Sequence, residues 1–122
     1  MNARSLGVAA LAGAAFVMAV ATAMHVAAAP PETVIKVVAK RFDYTPGVIQ
    51  LKRGVPVVIE LTTQDVVMGF SAPDFGVRAD ILPEKVARVR IAPDKTGTFT
   101  FVCDIFCGVG HEEMEGTIVV TD

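Results

Sequence analysis

The feature that most constrains the fold is a two-residue apolar period that begins at Thr33 and continues to the end of the chain. Arg88 and Arg90, for example, alternate with apolar residues, so the pattern places both arginines in solvent and their neighbours inside. Six segments of this kind are separated by Gly- and Pro-containing turns: 34–39, 48–52, 55–62, 86–91, 98–103 and 116–121. Short strands at this spacing, without a convincing amphipathic helix, predict an all-β protein, an antiparallel β-sandwich with Greek-key connections. Pro56, early in the third segment, indicates a strand at a sheet edge.

The first 29 residues have a different character, because they carry one charged side chain, Arg4, and an apolar run over residues 6–26. A short positive start, an apolar run and small residues at 26–29 are typical of a secretory signal peptide. The run is also long enough to cross a bilayer as an N-terminal helix, so a single retained membrane anchor is the alternative. Both interpretations predict a domain at residues 30–122 on the outer, periplasmic side of the cytoplasmic membrane, since Arg4 stays inside.

Charge and composition exclude several classes of function. The 11 basic and 13 acidic residues leave a net charge of −2, so there is no basic surface for nucleic acid. We find no acid–base pair and no nucleophile beside a base, and therefore expect no catalytic site of the chain's own.

The residues with metal-binding chemistry lie between the last two predicted strands. Cys103, Cys107, His111 and Met114 place two thiols, an imidazole and a thioether within a dozen residues. Such soft donors suit copper and disfavour hard cations. Strand parity points Cys103 into the sandwich.

The same four residues are also spaced to line one face of a helix. Gly108 and Gly110 argue against this, because each costs a helix about 1 kcal/mol. Glycine also tolerates positive φ, so a loop can fold back and bring the four side chains together.

Three other interpretations compete with copper. A disulfide between Cys103 and Cys107 is possible outside the cytoplasm, but its small loop gains little and leaves His111 and Met114 unexplained. A zinc site usually has closer cysteine pairs and no thioether. A thioredoxin-like pair has two residues between its cysteines and lies in a βαβ unit, and this chain offers neither. Taken singly, His111 and Met114 are ordinary core residues more often than ligands.

Several segments together resemble the CuA domain of cytochrome c oxidase subunit II. They are residues 42–54, 65–70, 76–83, 103–114 and 116–120. The resemblance covers nearly all of residues 33–122 and is most specific in the loop from Cys103 to Met114. It implies a cupredoxin-like sandwich that binds copper and transfers single electrons, with a c-type cytochrome or an oxidase as redox partner.

The resemblance also implies a ligand set. Two coppers would be bridged by the sulfurs of Cys103 and Cys107, with His111 as an imidazole ligand and Met114 as a weak axial ligand. The backbone carbonyl of Ile105 would fill the other weak position.

One departure from the family pattern concerns the second histidine ligand, because this chain has Met68 at that position. The chain has two histidines, and His25 lies in the leader, so the domain retains a single imidazole. Met68 is either a core side chain or a ligand. A thioether is neutral and soft, so as a ligand it favours Cu(I). The centre is then binuclear with a raised potential, or mononuclear.

The surroundings of the loop suggest partners. Trp is absent, so the aromatic surface through which the family accepts electrons is missing. Phe106, Val109 and Phe70 offer an apolar docking patch, with a core position as the alternative for Phe70. Four acidic residues are placed to steer a basic partner: Asp104, Glu112, Glu113 and Glu115. We expect a surface ion pair between Arg78 and Asp80, and expect Tyr44 to pack at a strand end.

Two functions follow. The first is one-electron transfer outside the cytoplasmic membrane. The alternative is a periplasmic copper-trafficking or assembly protein that holds Cu(I) through Cys and Met sulfurs and releases it to an acceptor protein.

Overall fold

The computed structural model describes residues 32–122, and its regular structure in this range is almost entirely β. The strands are Thr33–Lys40 (β1), Asp43–Thr45 (β2), Val48–Lys52 (β3), Val57–Thr63 (β4), Met68–Ala72 (β5), Val77–Ile81 (β6), Ala87–Ile91 (β7), Gly97–Val102 (β8) and Glu115–Thr121 (β9). Two single-turn 3-10 helices occupy Pro73–Phe75 and His111–Glu113. The predicted all-β class is confirmed for this range.

The apolar leader and the predicted boundary between residues 29 and 30 lie outside the described residues. Over residues 32–122, helices are too short to span a bilayer.

The strands form two sheets, ordered β2-β1-β4-β7 and β3-β9-β8-β5-β6. Most neighbours are antiparallel, but β1 pairs with β4 and β3 pairs with β9 in parallel. The predicted β-sandwich is therefore confirmed, but the predicted antiparallel pairing is wrong for these two pairs. After β2 the chain crosses to the second sheet for β3 and returns for β4, which then runs in the same direction as β1. A period of two shows which face of a strand is buried, but it carries no information about the direction of its neighbour.

Three strands were absent from the six predicted segments, namely β2, β5 and β6. Strand β5 contains Gly69 and Ser71 and is buried at four of its five residues, so it shows no alternation to detect. Pro56 precedes β4 instead of lying within it, and β4 is an interior strand between β1 and β7. The edge position inferred from Pro56 is therefore wrong.

The core beneath the loop from Cys103 to Met114 is aromatic. The Phe101 ring lies 4.9 Å from the rings of both Tyr44 and Phe70, measured between centroids, and all three side chains are buried. Burying each phenylalanine contributes about 2 kcal/mol to folding. Phe70 therefore belongs to the core, and the suggestion that it forms part of a surface docking patch is wrong.

Candidate metal centre

The candidate centre lies at one end of the second sheet, where β8 ends and its neighbours β5 and β9 begin. Cys103 directly follows β8 and is buried on the same side as Phe101, as strand parity predicts. The Cys103 backbone N–H donates to the carbonyl of Met114 at 3.2 Å, which closes the base of the loop. The antiparallel β8–β9 pair thus brings the first and last candidate ligands of the loop together.

The loop itself is not a helix. Gly108 and Gly110 have φ values of 133° and 105°, a region that side chains with a Cβ rarely adopt. The ring of Phe42 packs against both glycines, within 3.3 Å of where a Cβ would stand at either position. The reversal at Gly110 starts the 3-10 turn that carries His111 back toward the cysteines.

Of the four loop side chains that the sequence singled out, three converge on the sulfur of the fourth, Cys107. This Sγ lies 3.9 Å from Cys103 Sγ, 3.6 Å from His111 Nδ1 and 3.8 Å from Met114 Sδ. The ligand atoms of Cys103, Cys107 and His111 all lie within 4.8 Å of one another. Two thiols, an imidazole and a thioether at these distances fit a soft metal ion such as copper.

Backbone groups complete the surroundings of Cys103. Its thiol donates to the carbonyl of Ile105 at 3.1 Å, and its sulfur accepts a hydrogen bond from the N–H of Gly69 at 3.4 Å. The carbonyl of Ile105 therefore faces the site. Hydrogen bonds to a cysteine sulfur tune the metal that it binds.

Met68 is fully buried at the start of β5, where it pairs with Ile81. The next residue, Gly69, contacts Cys103 through its N–H. Met68 therefore lies on the strand that borders the site, while Met114 contacts Cys107 directly.

The cysteines are free thiols, with their sulfurs 3.9 Å apart. Burial raises the pKa of the Cys107 thiol, so the metal-free site holds a protonated thiol at neutral pH. Burial also raises the pKa of Tyr44, which packs beneath the loop and donates a hydrogen bond to the Gly69 carbonyl at 2.6 Å. Tyr44 is packed, as predicted, but it is the middle residue of β2 and not at a strand end. Its contact with Gly69 had no sequence signal.

The outer face of the loop is apolar and open to solvent. Phe106 is 76% exposed and Val109 is 93% exposed, and both line a surface depression of about 320 Å³ that also touches His111. Glu112 and Glu113 form its acidic rim. His111 is half-buried, so it is the candidate ligand that reaches the surface.

Asp104 forms an ion pair that its position in the sequence did not indicate. Arg78 pairs with Asp80 at 2.8 Å, as predicted, but its Nε also donates to Asp104 Oδ2 at 2.6 Å. The hydrogen bonds from Arg78 lower the pKa of the Asp104 carboxyl below its ordinary value. Sequence reasoning missed the second pair because 26 positions separate Arg78 from Asp104.

The sandwich and its soft-donor loop define a cupredoxin, and comparison with known proteins agrees. The chain belongs to the cupredoxin-like domain family, which matches residues 9–120. Within that family it is homologous to the CuA domain of cytochrome c oxidase subunit 2. Two such subunits from Thermus thermophilus are 33% identical to it over 93 residues, which make up 76% of this chain and 69% and 55% of the subunits.

Solved structures point the same way. A chain of a heme-copper terminal oxidase dimer is 29% identical with a TM-score of 0.67, covering 74% of this chain and 65% of that one. The periplasmic domain of oxidase subunit II (CoxB) from Bradyrhizobium japonicum shares the fold, with a TM-score of 0.70, 21% identity and coverage of 76% and 87%. The predictions of a cupredoxin fold and of a copper protein resembling CuA are confirmed.

Proposed function

We propose that this protein is a one-electron carrier or electron-accepting domain that works outside the cytoplasmic membrane, with copper held by Cys103, Cys107, His111 and Met114. The convergence of His111 Nδ1 and Met114 Sδ on the Cys107 sulfur, at 3.6 and 3.8 Å, is the observation that carries the proposal. When bound, copper supplies a Cu(I)/Cu(II) couple; the protein supplies the ligands and the environment.

The chain's part in electron transfer is to hold these donors rigidly in a dry site. Cys103, Cys107 and Met114 are 4%, 5% and 1% exposed. The two ends of the loop are joined by the hydrogen bond from the Cys103 N–H to the Met114 carbonyl. A copper site whose ligands move little when the copper changes its charge requires little reorganisation. His111 reaches the surface depression beside Phe106, whose ring centroid lies 5.7 Å from the imidazole, and we assign electron exchange to this edge.

The site could offer two copper positions, and their ligand sets differ. His111 and Met114 complete one copper position together with the two thiols. A second position would depend on Met68 and the Ile105 carbonyl, because His111 is the single histidine of residues 32–122. We therefore expect one firmly held copper, and a second only if the Met68 thioether is also a ligand.

The proposed location and partners follow from the leader and the relatives. An exported or anchored chain places residues 32–122 outside the membrane, and one structural neighbour is described as a periplasmic domain. The exposed Phe106 and Val109, with Glu112 and Glu113 at the rim, suit a partner with a basic ring around an apolar contact, such as a c-type cytochrome or an oxidase.

Copper trafficking is the second candidate, and Met68 is the observation that favours it. A donor set of two thiols and two thioethers with one imidazole prefers Cu(I). Such a protein would surrender copper to an acceptor protein instead of cycling its oxidation state.

Copper loading of the purified, fully reduced protein tests both. We expect stoichiometric binding, a reversible reduction wave with unchanged copper content, and an EPR hyperfine pattern that counts the coppers. Replacing both cysteines by serine should abolish binding. Equal binding without the two thiols would overturn the proposed site. Loss of copper to a Cu(I) chelator, without fast electron exchange, would select trafficking.

A further inference from the structure

An ion pair lies beside the loop, and neither of its members is a candidate copper ligand. Arg78, on β6, donates to Asp104 through two nitrogens, with Nε to Oδ2 at 2.6 Å and Nη2 to Oδ1 at 3.0 Å. The same Nη2 donates to Asp80 Oδ1 at 2.8 Å. A two-pronged pair of this kind fixes orientation as well as distance.

Asp104 packs against Gly69. Asp104 follows Cys103, and its carboxylate lies against the bare Cα of Gly69 on β5; a Cβ at position 69 would collide with Asp104 Oδ1. The backbone nitrogen of Asp104 would be 3.1 Å from that Cβ, so the chain itself lies close here. Glycine at position 69 therefore lets the first residues of the loop settle directly onto β5.

Gly69 also connects Asp104 to the candidate metal site. The N–H of Gly69 donates to Cys103 Sγ at 3.4 Å, while the carbonyl of Gly69 accepts from Tyr44. Gly69 is thus hydrogen-bonded to Tyr44 on its core side and contacted by Asp104 from the loop. The sulfur of Cys103 and the carboxylate of Asp104 therefore both contact Gly69.

We infer that Arg78 is a positioning residue for the metal centre: it clamps Asp104 onto Gly69 and so sets the hydrogen bond that the Cys103 sulfur receives. This inference rests on the proposed copper site. Because the Arg78 and Asp104 side chains are 48% and 29% exposed, the pair adds little to global stability. Its effect is on the placement of one sulfur, because hydrogen bonds to a metal ligand commonly fix that ligand's orientation.

The test compares Arg78→Gln and Asp104→Asn with Arg88→Gln in the full chain. Arg88 is a matched control, since it forms an exposed ion pair with Glu60 at 3.3 Å on the other sheet. The first measurement needs no metal: the rate of alkylation at Cys103 relative to Cys107 in the reduced protein, resolved by mass spectrometry. Because Cys103 is buried, its access to the reagent depends on how tightly the start of the loop is held, so we expect Arg78→Gln to accelerate alkylation of Cys103 severalfold. We expect Arg88→Gln to leave the ratio unchanged.

The second measurement uses the copper-loaded protein. Arg78→Gln should shift the reduction potential and the sulfur-to-copper charge-transfer band, and lower copper affinity by about tenfold. Arg78→Lys, which keeps the charge but loses the fork, should recover part of each effect. The double variant Arg78→Gln with Asp104→Asn should be no worse than either single variant, because the two residues act as one unit.

Two results would overturn the inference: an alkylation ratio in Arg78→Gln equal to that in Arg88→Gln, or an equal acceleration at both cysteines with a lowered melting temperature. The first result would show that Arg78 does not position Cys103. The second would show that Arg78→Gln loosens the whole fold and has no specific effect on Cys103. If the wild-type chain fails to bind copper, the proposed function fails, while the alkylation ratio still decides whether Arg78 positions Cys103.

Discussion

Tyr44 and Gly69 connect the two sheets through a hydrogen bond from the phenolic hydroxyl to the backbone carbonyl, 2.6 Å long and buried. Tyr44 belongs to β2 of the first sheet, and Gly69 to β5 of the second. Since Gly69 also donates to the Cys103 sulfur, this bond joins the core of the sandwich to the candidate metal centre.

The first prediction concerns pH. Tyr44 is the only tyrosine of the chain, so phenolate absorbance reports on it alone. Burial raises its pKa above the unfolded value of about 10, so its contribution to stability is complete below that pH and is lost as pH rises further. We expect no phenolate signal until the protein unfolds in alkali, when circular dichroism changes at the same pH. Titration near pH 10 in the folded protein would contradict this.

A companion variant tests the bond itself. Tyr44→Phe keeps the ring but leaves the Gly69 carbonyl without its donor, which should cost about 1–3 kcal/mol in the free energy of unfolding. Denaturant unfolding measures the loss, and an unchanged midpoint would show that the hydroxyl is not needed.

The second prediction separates the two roles of Met68. Met68→Leu conserves volume in a buried position and should cost less than about 1.5 kcal/mol in stability. If the thioether is a ligand, the variant holds Cu(I) less tightly in competition with a chelator. Unchanged copper retention would assign Met68 to the core.

Met68→His is the complementary change. It supplies a second imidazole beside that of His111, and we expect it to increase the copper content and to produce an EPR hyperfine pattern from two coppers. A pattern from one copper in both wild type and variant would show that β5 does not present this side chain to the site.

The third prediction concerns the loop reversal at Gly110. Gly110→Ala places a Cβ at φ 105° and 3.1 Å from the Phe42 ring, which should displace His111 and weaken copper binding. Gly54→Ala is the matched control, because Gly54 has φ 79° with no atom within 4 Å of the added Cβ. Both variants should lose about 1–2 kcal/mol of stability through backbone strain. Isothermal titration should show weakened copper binding in Gly110→Ala alone, and equal affinity in both would refute the role of the reversal.

The fourth prediction concerns protons. Because burial raises the pKa of the Cys107 thiol, this thiol keeps its proton to higher pH than an exposed cysteine and must lose it when a metal binds. Copper binding should therefore release protons into a weakly buffered solution, and apparent affinity should rise with pH through the neutral range. Cys107→Ser should release about one proton fewer per copper. Identical release would show that this thiol does not bind the metal.

The strands with clean alternation were predictable, as β7 and β8 illustrate. Ala87–Ile91 faces its arginines to solvent, and Phe101 and Cys103 share the buried side. The loop with its glycines was predictable for the same reason, since glycine at positive φ is a local property. Strand β5 escaped because burial on both faces removes alternation. For the same reason the sequence left Phe70 open between core and surface, and the structure buries it completely.

Local sequence is enough to specify the alternating strands, the inward sulfur of Cys103 and the soft donor set, because these depend on backbone sterics and neighbours within a dozen residues. The parallel pairing of β1 with β4, the bond from Tyr44 to Gly69 and the pairing of Arg78 with Asp104 emerge from the folded chain. Those contacts join residues 25 or 26 positions apart or whole strands, so they exist only once the chain has crossed between sheets.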